Sequence, residues 1–457
     1  MADRGVSKLF TDTIHGNIYL DPLSLKFVDI EQFQRLRDLK QLGLTYLVYP
    51  GAVHSRFEHS LGVYSLAAKT IHNIKNDQGF ELGIDKFDIK TVKLAGLLHA
   101  VGHGPFSMFE KEFLPMVLPE QKWSHEQMSS KMIDYIVDEH NIEIESDVQK
   151  KVKEMIGASA EDTSLTNLKE KRFLYDIVTN GRNGLDVDKF DYIVRDSQAC
   201  RLKCSFEFDR LLDTMRVIGD EICYHEKEKP TMPRLFSSHA DLHRTVYTHA
   251  KVKAIELMFC DALVKANNKL RISSRIDDPA EYWKLDDSIM KKIETSKSER
   301  LKESRDLILR IRRRDLYQFC NEFTVRKDEL EYFKDVTAQD IICSESQGGD
   351  HSFDEEDIVV CNIKMDMTRG RTNPLESINI FKDYKGHIKS PIPDESLLPE
   401  CCKGKIVRVY SKKPKLVELV AEALENFQLK TYGKSTCSTQ NKRPRPWDWY
   451  YHDGCGE

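Results

Sequence analysis

No cysteine precedes Cys200 in this 457-residue chain, and the 11 from Cys200 onward include no C-x-x-C pair. That excludes a zinc ribbon or a compact disulfide framework and points to free thiols in a reducing compartment, Cys200 and Cys204 included. Long apolar runs are also missing, so neither a membrane span nor a secretory leader is expected. Charge of one sign is lacking as well: 69 Lys and Arg stand against 74 Asp and Glu, a formal net charge of −5. Any binding of polyanions must therefore be local. No internal repeat is visible, and the length suits one large core or two modest ones.

What the chain does have is histidine and acid residues set in segments of helical period, which cover most of the first 330 residues. Asp29 can cap a helix whose apolar stripe is Ile30, Phe33, Leu36 and Leu39, with Gln34, Arg37 and Gln41 aligned on its other side. A second helix is expected from about Arg56 to Ile74, where Arg56 and His59 share a face one turn apart. His99 and His103 lie four apart on one face of a third, which ends at Gly102 and Gly104-Pro105. Ser124-His-Glu-Gln127 is a capping-box pattern that starts another helix at His125. Asp188, Tyr192 and Asp196 recur at intervals of four with Lys189 beside the first, so one face offers a metal ligand, a phenol and a second carboxylate.

After about residue 330 the texture changes. Residues 357–365, 377–381 and 405–410 are β-rich, and 414–428 reads as an amphipathic helix. The chain thus reads as mostly α, with a helical core over 1–330, an α+β lobe over 331–430 and a flexible tail over 431–457. The acidic stretch 347–357 reads as a mobile loop.

Five longer strings carry a resemblance: Gln32-Phe-Gln-Arg-Leu-Arg37, Arg56-Phe-Glu-His-Ser-Leu-Gly62, Gly102-His-Gly-Pro-Phe-Ser107, Trp123-Ser-His-Glu-Gln127 and Arg182-Asn-Gly-Leu-Asp-Val-Asp-Lys189. With them the chain, from about Lys8 to Lys413, resembles the sterile-alpha-motif and HD-domain deoxynucleotide triphosphohydrolases of animals, which are antiviral and deplete nucleotides. The resemblance covers the catalytic core without the sterile-alpha-motif domain. It implies an HD-domain helical fold that hydrolyses a dNTP to deoxynucleoside and triphosphate with a divalent metal, iron, manganese, zinc or magnesium. Imidazole and carboxylate ligands from several helices suit such an ion and leave positions open for water and a phosphoryl oxygen. The metal set maps to His59, His99, residue 100 and Asp188, but Ala100 stands where the family has aspartate and supplies no ligand. The chain as written is expected to be inactive or weak.

The same resemblance maps the catalytic acid to His125, and triphosphate contacts to Arg56, His103, Lys189 and Tyr192. Gln41, Leu42 and Asp196 map to the sugar side, His239 and His243 to the remaining substrate contacts, and Tyr247 to the position that would clash with a 2′ hydroxyl. Two further departures matter. A histidine is deleted between Ser107 and Met108, and His239 replaces an arginine four residues before His243. Fewer cationic donors leave the leaving group open, so another phosphorylated nucleotide, or a non-catalytic nucleotide or nucleic-acid binder, stays as an alternative.

Lys8, Leu9, Asp29, Gln34, Arg37 and Val48 map to a guanine-nucleotide activator pocket, which implies GTP and dNTP as activators and a homo-oligomer, dimer or tetramer. A second pocket keeps Arg210 and Lys227 but has Thr214, His225 and Ala250 where an aromatic, an arginine and a lysine are expected. Single-stranded nucleic acid is a further partner class, membrane is not. Lys442-Arg-Pro-Arg445 resembles a nuclear-import signal, giving nucleus and/or cytoplasm as the location.

Overall fold

The structure is a computed structural model, and it describes residues 7–159, 170–325, 330, 332–345, 353–366, 374–384, 386, 388–392 and 403–433. The chain is mostly α and divides into two compact units. The first comprises residues 1–315 and 366–402, the second 316–365 and 403–457. The change of texture at 330 therefore falls inside the second unit. Strand Gln318–Val325 already belongs there because it pairs antiparallel with Lys403–Ser411.

In the first unit a hairpin comes first, Lys8–Asp12 against Gly16–Leu20, turning at Gly16 with φ +66°. The expected helix over 30–41 does not form as one piece. Asp29 ends helix Pro22–Val28 instead of capping the next; a short turn of α-helix, Glu31–Gln34, follows Ile30 with no side-chain cap and passes into a 3-10 turn, Arg35–Asp38. The chain is then pulled out straight, since Lys40 bridges Ser55 and its N–H donates to the Asp287 carboxylate at 2.9 Å. Phe33, Leu36 and Leu39 nonetheless enter the core with no exposed surface.

Helix Arg56–Gln78 runs a turn beyond expectation and starts from a Ser55/Glu58 capping box. It packs against helices Lys86–Leu98 and Val187–Ala199. The second contact is close because position 62 is glycine: a Cβ there would lie 2.0 Å from Asp191 Oδ1. Helices His125–Glu139, Thr231–Leu242 and Ala250–Leu270 complete the surroundings of the site. The strand expected over 377–381 is shorter, Asn379–Phe381, and joins this unit, where Ile380 and Phe381 pair parallel with Tyr224 and His225.

In the second unit the central strand Lys403–Ser411 lies between Gln318–Val325 and Ile358–Asp366. Helix Val417–Tyr432 follows a 3-10 turn at Pro414–Leu416 and buries Val420, Ala423 and Leu424 on one face, in a core shared with Phe323, Val407 and Val409. Most of the acidic stretch expected as a loop, the tail after 433 and Lys442–Arg445 lie outside the described residues. No helix among the described residues is long and apolar enough to cross a membrane.

Phe33 is fully buried and meets the Phe57 ring edge-on at 5.6 Å, two residues before His59. Phe33→Ala should lower stability by about 3–5 kcal/mol, the usual cost of emptying an aromatic core site. A lowered denaturant midpoint checks it; an unchanged one would show that the 30–39 segment contributes little to the core.

Candidate metal centre and substrate site

Three helices converge on one point. His59 comes from the first turn of Arg56–Gln78, His99 caps the end of Lys86–Leu98, and Asp188 lies in the first turn of Val187–Ala199. One ligand atom from each lies within 4.8 Å of the others. His59 Nε2 is 3.0 Å and His99 Nε2 3.6 Å from Asp188 Oδ1, and the two Nε2 atoms are 3.2 Å apart.

The opposite ring nitrogens fix the tautomers. His59 Nδ1–H donates to Asp191 Oδ2 at 2.7 Å, and His99 Nδ1–H donates to the Gly96 carbonyl at 2.8 Å. Both acceptors can only accept, so each ring keeps its Nδ1 proton and Nε2 is the nitrogen that can give up a proton and offer a lone pair to a metal. Burial alone would lower the His59 pKa, but Asp188 and Asp191 outweigh it and raise it to about 9. Such a donor set attracts positive charge, and a divalent ion binding there displaces the proton. Two imidazoles and one carboxylate fit a divalent metal with several positions left open. Ala100 is fully buried and adds nothing to the set.

His103 does not share the face of His99, because the helix stops at Leu98 and the chain turns. Its ring instead stacks on His125 at 3.8 Å and 14°. Arg35 holds that turn, donating to the His103 carbonyl at 2.7 Å. His125 follows Ser124, whose hydroxyl accepts from Gln127 N–H, and its Nδ1 is 2.9 Å from Glu110 Oε2. Burial, with Arg56 and the neighbouring imidazoles, keeps His103 well below the usual histidine range. Glu110 engages His125 Nδ1 and not Nε2. Arg56 is buried, which lowers its pKa to about 10 against the pull of Asp287 and Asp188, and its Nη1 donates to Gln41 Oε1 at 3.4 Å. It remains a cation at neutral pH.

On the next turns of the Val187–Ala199 helix, Tyr192 Oη is 3.2 Å from His239 Nε2, and Asp196 accepts from Tyr247 Oη at 2.6 Å and pairs with His54 at 2.7 Å. His243 and Tyr247 are not on an ordinary α-helical face: His243–Tyr247 is a π-helical turn, with the two rings 6.4 Å apart. The Lys189 N–H caps onto Asp186, and Leu42, buried, leads into the 3-10 turn Gly43–Leu47.

Lys8, Leu9, Phe10, Asp29, Gln34 and Arg37 line a separate cleft of about 620 Å³. Lys8 is paired with Asp29, and Arg37 lies over the Phe57 ring at 3.5 Å while donating to Gln34. Val48, at the end of the Gly43–Leu47 turn, is not among the lining residues. Arg210 pairs with Glu228 at 2.5 Å, next to Lys227, and His225 stacks on Tyr384. Cys200 and Cys204 are free thiols.

Sequence reasoning missed Glu110, Asp191, Arg195, Asp12 and His15. Asp191 stands three residues after Asp188 and Arg195 four after Asp191, a helical spacing that the sequence does carry. Nothing local marks Asp12 or His15.

Fold and donor set together are those of an HD-type helical protein with a site able to hold a divalent metal, and the HD domain family matches residues 56–196. The chain is 38% identical over 430 residues to the deoxynucleoside triphosphate triphosphohydrolase SAMHD1 homolog of Dictyostelium discoideum, covering 93% of this chain and 81% of that one. It is 36% identical over 447 residues to zebrafish SAMHD1, covering 89% and 71%, and 35% identical over 445 residues to human SAMHD1, covering 89% and 70%. The chain belongs to the SAMHD1 family of deoxynucleoside triphosphate triphosphohydrolases.

Burial, aided by Lys189 and His243, pushes the His239 imidazole down to about 3. An imidazole with a depressed pKa contributes stability above its unfolded value near 6.5 that is lost as pH falls toward the folded value. His239→Gln, which cannot charge, should therefore lose less stability than the parent between about pH 6.5 and pH 4. Parallel denaturant midpoints for the two proteins across that window would contradict the assignment.

Proposed function

We propose that the chain hydrolyses deoxynucleoside triphosphates to deoxynucleoside and triphosphate, and that Ala100 holds its turnover far below what its other groups allow. The convergence of His59, His99 and Asp188 beside the His125–Glu110 pair carries this reading. His59, His99 and Asp188 would hold a divalent ion, which would supply Lewis acidity and lower the pKa of a bound water. The protein's own groups supply the rest. Arg56 offsets phosphate charge, and His125 carries the proton needed by the departing sugar oxygen. Asp196 and Gln41 hold the 3′ hydroxyl, and the Tyr247 ring leaves no room for a 2′ hydroxyl. The names of the relatives support the substrate class.

A second reading, the same chemistry on a nucleotide with fewer phosphates, is favoured by one observation: His239 is neutral at physiological pH and gives no charge to a terminal phosphate. One experiment separates the two. Ala100→Asp with manganese or iron should raise hydrolysis of dGTP by orders of magnitude, in line with the several kcal/mol a catalytic metal supplies. Release of triphosphate from dGTP supports the first reading; release of pyrophosphate from dGDP or phosphate from dGMP, with dGTP untouched, supports the second. No release from any nucleotide would leave a binding protein.

We also infer that the Lys8–Arg37 cleft takes a guanine nucleotide. Asp29 can accept from guanine N1–H and N2–H, whereas adenine offers no donor there; Lys8 would exchange that carboxylate for phosphate. GTP should then drive assembly more than ATP does, and Asp29→Ala should abolish the difference. Equal light-scattering responses to both nucleotides would refute the pocket.

A further inference from the structure

The most heavily bonded group beside the metal centre is the Asp191 carboxylate, fully buried and with both oxygens doubly engaged. Oδ2 accepts from His59 Nδ1 at 2.7 Å and from Arg195 Nε at 2.9 Å. Oδ1 is 2.6 Å from His15 Nε2 and accepts from Arg195 Nη2 at 2.9 Å. Arg195 turns its other edge to Asp12, with Nη1–Oδ2 2.8 Å and Nη2–Oδ1 3.1 Å. Asp12 ends the Lys8–Asp12 strand and also accepts the N–H groups of Ile14 and His15, each at 2.9 Å. Gly62 makes room for all of this, since a Cβ would lie 2.0 Å from Asp191 Oδ1 and 2.6 Å from Arg195 Nη2.

We propose that Asp191, clamped through Arg195 and Asp12 to the N-terminal hairpin, is the positioning residue that holds His59 with Nε2 aimed at the metal. The inference rests on His59, His99 and Asp188 being metal ligands. Buried ionic groups rarely stabilise a fold in proportion to their number, because desolvation offsets the attraction. Here the cluster has a second use. A carboxylate on Nδ1–H fixes the tautomer and the ring plane and makes Nε2 a stronger donor. His99 lacks such a partner and relies on a backbone carbonyl, so the two imidazoles differ in what sets them.

The difference supplies the control. Zn²⁺ titration by calorimetry, with proton and 15N spectra of the Zn²⁺-loaded protein, reads both rings. Asp191→Asn should weaken Zn²⁺ binding 10- to 100-fold, the usual effect of losing such a partner, and move the His59 Nδ1–H proton while leaving that of His99 in place. Asp12→Asn leaves Asp191 intact but loosens Arg195, and should move the same His59 signal with a smaller loss of affinity. A folded Asp191→Asn protein that binds Zn²⁺ as the parent does, or shifts both histidines alike, overturns the proposal. Should Asp191→Asn fail to fold, an unmoved His59 signal in Asp12→Asn overturns it. A parent chain that binds no Zn²⁺ overturns the metal reading itself, and this one with it.

Discussion

Everything at the site hangs on how closely two helices approach. Arg56–Gln78 and Val187–Ala199 meet at Gly62, and the absence of one Cβ lets the carboxylates of Asp188 and Asp191 reach the two nitrogens of the same imidazole. One helix thus supplies an imidazole and the other supplies both the carboxylate facing its Nε2 and the carboxylate facing its Nδ1. Helix Lys86–Leu98 adds His99 by stopping at Leu98, and the turn that follows carries His103 back over His125. A larger residue at 62 would separate these elements before it touched any ligand.

That geometry explains which parts of the site were legible in the sequence. Spacing of four along Asp188, Tyr192 and Asp196 is a property of one helix, and the structure keeps all three on successive turns, each meeting a different partner. His99 and His103 have the same spacing and part company, because the helix stops at Leu98, short of Gly102 and Gly104-Pro105 where the pattern would end it. Residues 30–41 failed for a tertiary reason: Ser55 and Asp287, distant in sequence, extract Lys40 from a helix its apolar stripe supports. The apolar stripe still reached the core, since burial needs only that the residues face inward. Asp12 and His15 were illegible because their importance lies in what they meet across 176 or more residues of chain.

The lobe after residue 315 shows the same division. Strands Ile358–Asp366 and Lys403–Ser411 and the final helix follow local patterning, with Val420, Ala423 and Leu424 spaced for one face, whereas Gln318–Val325 lay within the stretch read as helical. Where each strand would pair was not local. Asn379–Phe381 looked like its neighbours in the chain, yet it joins the first unit by pairing with Tyr224 and His225. Short β-rich segments announce strands without announcing sheets, because register and partner are set by the surfaces available.

The charge at the metal centre gives Ala100 its meaning. A divalent ion among His59, His99 and Asp188 meets a single negative ligand, and a carboxylate at 100 would make two. Since attraction between ion and ligands scales with that charge, alanine weakens the hold on the ion. Asp191 cannot make up the difference, because both its oxygens are already taken by His59, His15 and Arg195. On the proposed reading, the loss at 100 falls on the residence of the metal, and with it on whatever the metal would supply to a bound nucleotide.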